Sequence, residues 1–157
     1  MGAATAGVGI LVGGIIFNIA GSSLAGKVDE ARRQMLKAER QINQICTYLG
    51  KLKTLATRYR GCLDGVYGVY KNHMDMFARI VYDEGRTDWY EYTASEQLSL
   101  ENLALIVGIL YGMCKTNLVI ESEGEDSINQ VNTDEARRQV DTANAFLRER
   151  GLSNEGF

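Results

Sequence analysis

VDEARRQMLKAERQINQICTYLGKLKTLATRYRGCLDGVYGVYKNHMDMFARIV, residues 28–81, is the stretch that decides the fold. Apolar residues recur in it at alternating spacings of three and four, the pattern of a helix packed along one seam. One seam position is filled by Val28, Met35, Ile42, Leu49, Ala56, Leu63, Tyr70 and Phe77. The other is filled by Ala31, Ala38, Ile45, Leu52, Tyr59, Val66, His73 and Ile80, of which only His73 is polar. A continuous helix of this length would measure roughly 80 Å at 1.5 Å per residue.

The flanks of the seam change along its length. Arg32, Gln34, Glu39 and Gln41 keep the first half narrow. From Tyr48 one flank turns apolar through Leu55, Cys62, Val69 and Met76, and from Tyr67 the other follows with Met74 and Val81. A widening seam implies more neighbours, so the first half is expected to be a stalk and the second part of a bundle. The fold class expected is therefore all-α and elongated. It has one very long heptad-patterned helix over residues 27–82 and a helical bundle completed by helices over 94–120 and 133–150.

Composition agrees. Proline is absent, where average usage would give about eight, so long helices meet no breaker. The net charge of −3, with both signs interspersed, leaves no basic footprint, and no nucleic-acid partner is expected. Cys46, Cys62 and Cys114 form no CxxC and are odd in number, which suits free thiols in a reducing compartment. Cys46 and Cys62 flank the seam and are expected to serve as small half-buried apolar residues.

Residues 1–26 carry no charged side chain and lack the basic opening of a signal peptide. In the heptad register, small residues pair once per repeat at Ala6-Gly7, Gly13-Gly14 and Ala20-Gly21, while Ile10, Phe17 and Leu24 keep the other seam position. Val8, Leu11, Val12, Ile15, Ile16 and Ile19 make the remaining faces apolar as well. A helix apolar all round, with one stripe reduced to glycine, suits close backbone approach in lipid or in tight protein packing. The 19 residues Gly7 to Ala25 approach the roughly 20 needed to cross a bilayer. Lys27, Arg32, Arg33, Lys37 and Arg40 follow at once and would hold the bulk of the chain on the cytoplasmic side of a membrane.

Beyond the seam, Asp83-Glu84-Gly85 supplies a helix stop, and Trp89-Tyr90-Glu91-Tyr92 forms an aromatic corner expected to plug the end of the bundle. Thr93 with Glu96 is a capping box opening the next helix. Its residues Leu103 to Cys114 are apolar on nearly every face, too short a run to span, so this helix is expected to be the buried one. Ala104, Gly108 and Gly112 recur in it every four residues and allow close helix approach. Residues 121–131 form an acidic loop without the ligand pattern of an EF-hand. A last helix opens at Asn132 or Thr133, carries Ala136, Val140, Ala143 and Leu147 on one stripe, and stops at Gly151. The hexapeptide Asp29-Glu-Ala-Arg-Arg-Gln34 recurs as Asp134-Glu-Ala-Arg-Arg-Gln139, which reads as repeated helix-opening chemistry.

The residues carry little catalytic signal. His73 is the only histidine, has no acidic residue on its own helix face, and is expected to be a hydrogen-bonded residue fixing register. No cysteine has a basic partner at recognisable spacing. Gly7 to Gly13 lacks the Lys-Ser/Thr ending of a phosphate-binding loop. No enzyme activity, cofactor, metal or small-molecule substrate is expected.

A glycine-rich apolar segment, Gly7 to Ala25, joined to a long amphipathic helix, Val28 to Val81, and then to a bundle resembles α-helical pore-forming proteins of the cytolysin A type. That resemblance is one of architecture and assigns no individual residue. It implies an all-α protein that self-associates and inserts its apolar segment into a membrane. The function expected is thus a non-enzymatic homo-oligomer, membrane-inserting or pore-forming through its glycine-rich helix. The alternative is a soluble coiled-coil assembly subunit whose glycines pack against protein.

Overall fold

The structure is a computed structural model that describes residues 24–123 and 127–152. The seam stretch is one α-helix of 55 residues, α1 (Leu24–Ala78). Its last turn widens into a π-helical turn, Arg79–Asp83, where the Glu84 N–H donates to the Arg79 carbonyl at 3.2 Å. Gly85 then takes φ +68°, a left-handed conformation that suits glycine, and the helix stops where the sequence places its stop.

A 3-10 turn, Trp89–Glu91, is opened by Asp88, whose side chain accepts from the Tyr90 N–H at 3.0 Å. α2 (Ala94–Lys115) starts on the expected capping box, with both Thr93–Glu96 hydrogen bonds made. It ends at Lys115, not near residue 120, because Thr116 turns extended and its hydroxyl donates back to the Gly112 carbonyl at 3.0 Å. The residues beyond form a short antiparallel pair, β1 (Val119–Ile120) with β2 (Gln130–Val131). Ser122 reinforces that hairpin, donating its N–H to the Asn129 side-chain oxygen and its hydroxyl to the Ile128 carbonyl. The segment expected as an acidic loop is thus tied by its described residues into an antiparallel pair. α3 (Thr133–Glu149) completes the chain, and Gly151 closes it at φ +64°. Among the described residues the protein is all-α apart from the two-residue strands.

The chain divides into two units, Met1–Thr54 with Leu118–Asn132, and Leu55–Asn117 with Thr133–Phe157. The core lies in the second. Val66 and Ile80 from the α1 stretch and Ile106 and Met113 from α2 are its largest fully buried side chains. α3 adds the expected stripe, Ala136, Val140, Ala143 and Leu147, all buried. Burying a Val, Ile or Met fully contributes roughly 1.5–3 kcal/mol, so these few residues carry much of the unit's stability. Two polar groups are built in. The Tyr59 hydroxyl donates to the Met113 carbonyl at 2.9 Å, and buried Asn102 accepts from Arg150 at 3.3 Å.

Candidate functional site

The small residues Ala6, Gly7, Gly13, Gly14, Ala20 and Gly21 lie outside the described residues. Among the described residues the features that invite a partner are apolar faces left open, and there are two.

The first is on α1. In its Leu24–Thr54 stretch, Ala31, Ala38, Ile45 and Leu52 are half-buried, as are Gln34, Gln41 and Tyr48 beside them. The other seam position is open: Val28 is 64% exposed, Met35 64%, Ile42 51% and Leu49 41%. Leu36 and Cys46 are exposed next to this line, so Cys46 is not the half-buried residue its spacing suggests. The recurring hexapeptide makes the same bonds twice. Arg33 and Gln34 both reach Glu30, and Arg138 and Gln139 both reach Glu135. Only the second copy opens a helix, since α1 already begins at Leu24.

The second open face is on α2. One side buries Asn102, Leu103, Ile106 and Met113. The opposite side leaves Leu98, Ala104, Leu105, Val107, Gly108 and Tyr111 exposed. The helix expected to be buried nearly all round is therefore covered by described residues on one side only, because α3 and the α1 stretch occupy a single flank. Gly108 is not in a close crossing within the chain: a Cβ built there meets nothing within 4 Å. Gly112 is different, since its Cβ would stand 3.4 Å from the Gln139 side-chain oxygen. By length and composition, Ala94–Lys115 is also long and apolar enough to cross a membrane, counting all 22 residues rather than the uncharged run alone.

Arg86 ties the corner after α1: its guanidinium donates to Glu84, to Glu96 at 2.6 and 2.9 Å, and to the Glu91 carbonyl, while the Tyr92 hydroxyl donates to the Arg86 carbonyl. That guanidinium, with the Thr93 N–H, holds the Glu96 carboxyl down to about 2. No motif in the sequence flagged Arg86; an arginine set between acids at a glycine stop was the available signal. The aromatic corner divides its labour, with Tyr92 buried as a plug and Trp89 and Tyr90 42% and 90% exposed. His73 differs from expectation. Its Nε2 is buried with no hydrogen-bond partner among the described residues, and burial pushes its pKa below the usual value.

A groove of about 640 Å³ runs between α1 and α3, lined by Arg58, Cys62, Val69, Asn144, Leu147 and Arg148 among others. Cys62 donates weakly to the Asn144 side-chain oxygen at 3.9 Å, and burial pushes its thiol up, away from the reactive thiolate. No group of three or more His, Cys, Asp or Glu able to hold a metal is found among the described residues. The chain matches no protein-family model, no curated protein and no solved structure.

Proposed function

We propose that this chain works by self-association, as a non-enzymatic helical protein whose glycine-rich residues 1–26 enter a membrane, in the manner of the pore-forming proteins it resembles. The observation that carries the self-association is the open seam of α1. Val28, Met35, Ile42 and Leu49 repeat at the heptad spacing yet are 41–64% exposed, and no described residue covers them. Scattered exposed apolar residues are ordinary, but a regular line of four at coiled-coil spacing favours a partner helix. The membrane half of the reading is supported by the uncharged sequence Gly7 to Ala25. A soluble coiled-coil assembly subunit is the second reading, favoured by the same open seam.

Liposome flotation separates the two. For the membrane-inserting protein, wild type floats with vesicles, and Gly14→Leu still floats but no longer releases an entrapped dye, because leucine blocks close approach of the glycine face. Ile16→Leu leaves both intact. Wild-type protein that stays out of the lipid fraction at every pH and lipid charge overturns membrane insertion and leaves the soluble assembly.

A further inference from the structure

We propose that α2 forms a two-fold interface with a second copy of this chain, crossing antiparallel at Gly108 so that Glu101 of each copy pairs with Lys115 of the other. This rests on the self-association reading and adds to it a contact made by a different helix.

The open face of α2 is centred on Gly108. At about 100° per residue, Glu101, Ala104, Leu105, Tyr111, Gly112 and Lys115 all fall within about 60° of it around the helix. Glu101 stands seven residues before Gly108 and Lys115 seven after. Leu105 and Tyr111 stand three either side, and Ala104 and Gly112 four either side. A two-fold axis through Gly108, with the helices antiparallel, brings each residue opposite the one equidistant from the centre. Acid then meets base twice and leucine meets tyrosine twice, while Gly112, half-buried beside Gln139, stays at the edge of the contact.

A parallel pairing on the same face would set Glu101 against Glu101 and Lys115 against Lys115, so the charges select the antiparallel one. Both groups are free to pair. Neither has an ion-pair partner among the described residues, and Lys115 only lies over the Tyr111 ring, 4.7 Å from its centroid. Tyr111 is itself 61% exposed and Leu105 46%. Glycine in a helix interior is unfavourable relative to alanine, and within the chain nothing crowds Gly108. A neighbouring backbone at this point gives the glycine a reason. A lipid surface fits the face less well, because Glu101 and Lys115 both point within about 20° of its centre line.

The experiment uses the full chain carrying Cys46→Ser and Cys114→Ser, two exposed thiols, with Gly108→Cys added and Val107→Cys as the control about 100° away on the same helix. Diamide oxidation should yield a disulfide-linked dimer for Gly108→Cys and little for Val107→Cys. In solution, Lys115→Glu should weaken association about tenfold, and Glu101→Lys with Lys115→Glu should return it to within about threefold of wild type. Gly108→Leu should lower the assembled mass by removing the α2 contact, while the melting temperature of the dilute protein rises, since leucine is the better helix former. Equal bridging at 107 and 108, or a charge swap that restores nothing, overturns the interface. So does liposome binding that depends on Leu105 and Tyr111 while no bridge forms at 108, which would assign the face to lipid. An oligomeric wild type whose mass is unchanged by Gly108→Leu overturns this interface alone. A wild type that is monomeric throughout overturns it together with self-association.

Discussion

The two halves of α1 share one helix and one heptad register, yet they are covered differently. In Leu55–Ala78, Tyr59 and Val66 are buried, and Ala56, Leu63, Tyr70 and Phe77 are half-buried. In Leu24–Thr54, none of the described side chains is buried, and Val28, Met35, Ile42 and Leu49 lie open. The difference teaches that a repeat fixes which face of a helix is apolar, while other elements decide whether that face is filled. α2 and α3 fill it in the second half. In the first, half of the seam stays open among the described residues.

The strongest way to break this comparison is to put the same charge in both halves. Val66→Asp buries an unpaired carboxylate at a site with no solvent exposure and should lose about 4 kcal/mol or fail to fold. Ile42→Asp, at a site 51% exposed, should change the stability of the dilute protein by no more than about 0.5 kcal/mol. Urea titration at low protein concentration measures both. Equal losses would mean that the two halves are covered alike.

A smaller effect sharpens the covered half. His73 lies there on the seam with its Nε2 buried and unbonded, so His73→Leu should stabilise the fold by about 1 kcal/mol at neutral pH. Its folded pKa is lowered below the ordinary 6.5, so the unfolded chain binds the proton more readily. Stability contributed by the neutral ring is therefore present above that value and lost as pH falls below it. Wild type should weaken between pH 7 and 5 where His73→Leu does not, as read from melting temperatures across that range. Parallel curves would mean that the imidazole is solvated.

The sequence made the long helix legible because eight heptads repeat without a skip and no proline interrupts them. The Thr93–Glu96 capping box, the stops at Gly85 and Gly151, and the α3 stripe of Ala136, Val140, Ala143 and Leu147 were legible for the same reason: each is local chemistry. Coverage was not. Leu103 to Cys114 is apolar all round, and only the placement of its neighbours shows that one side faces no described residue. The Tyr67 and Met74 flank likewise looked ready for burial but is 55% and 40% exposed. The β1–β2 pair escaped notice because two-residue strands leave no period to read. Of the candidate site, Ala104, Gly108 and Gly112 were legible as a small-residue stripe, but its division into an open Gly108 and an occupied Gly112 depends on Gln139, which is distant in sequence.

Sedimentation equilibrium over a wide concentration range, on the full chain and its Ile42→Asp and Leu49→Asp variants, bears most directly on the open seam. Wild type should exceed the 17.4 kDa of one chain as concentration rises. Both variants should shift towards that monomer mass while melting, when dilute, as wild type does. A wild type that stays at 17.4 kDa at every concentration, or variants that assemble as well as it does, would contradict the assignment of the α1 seam to a partner helix.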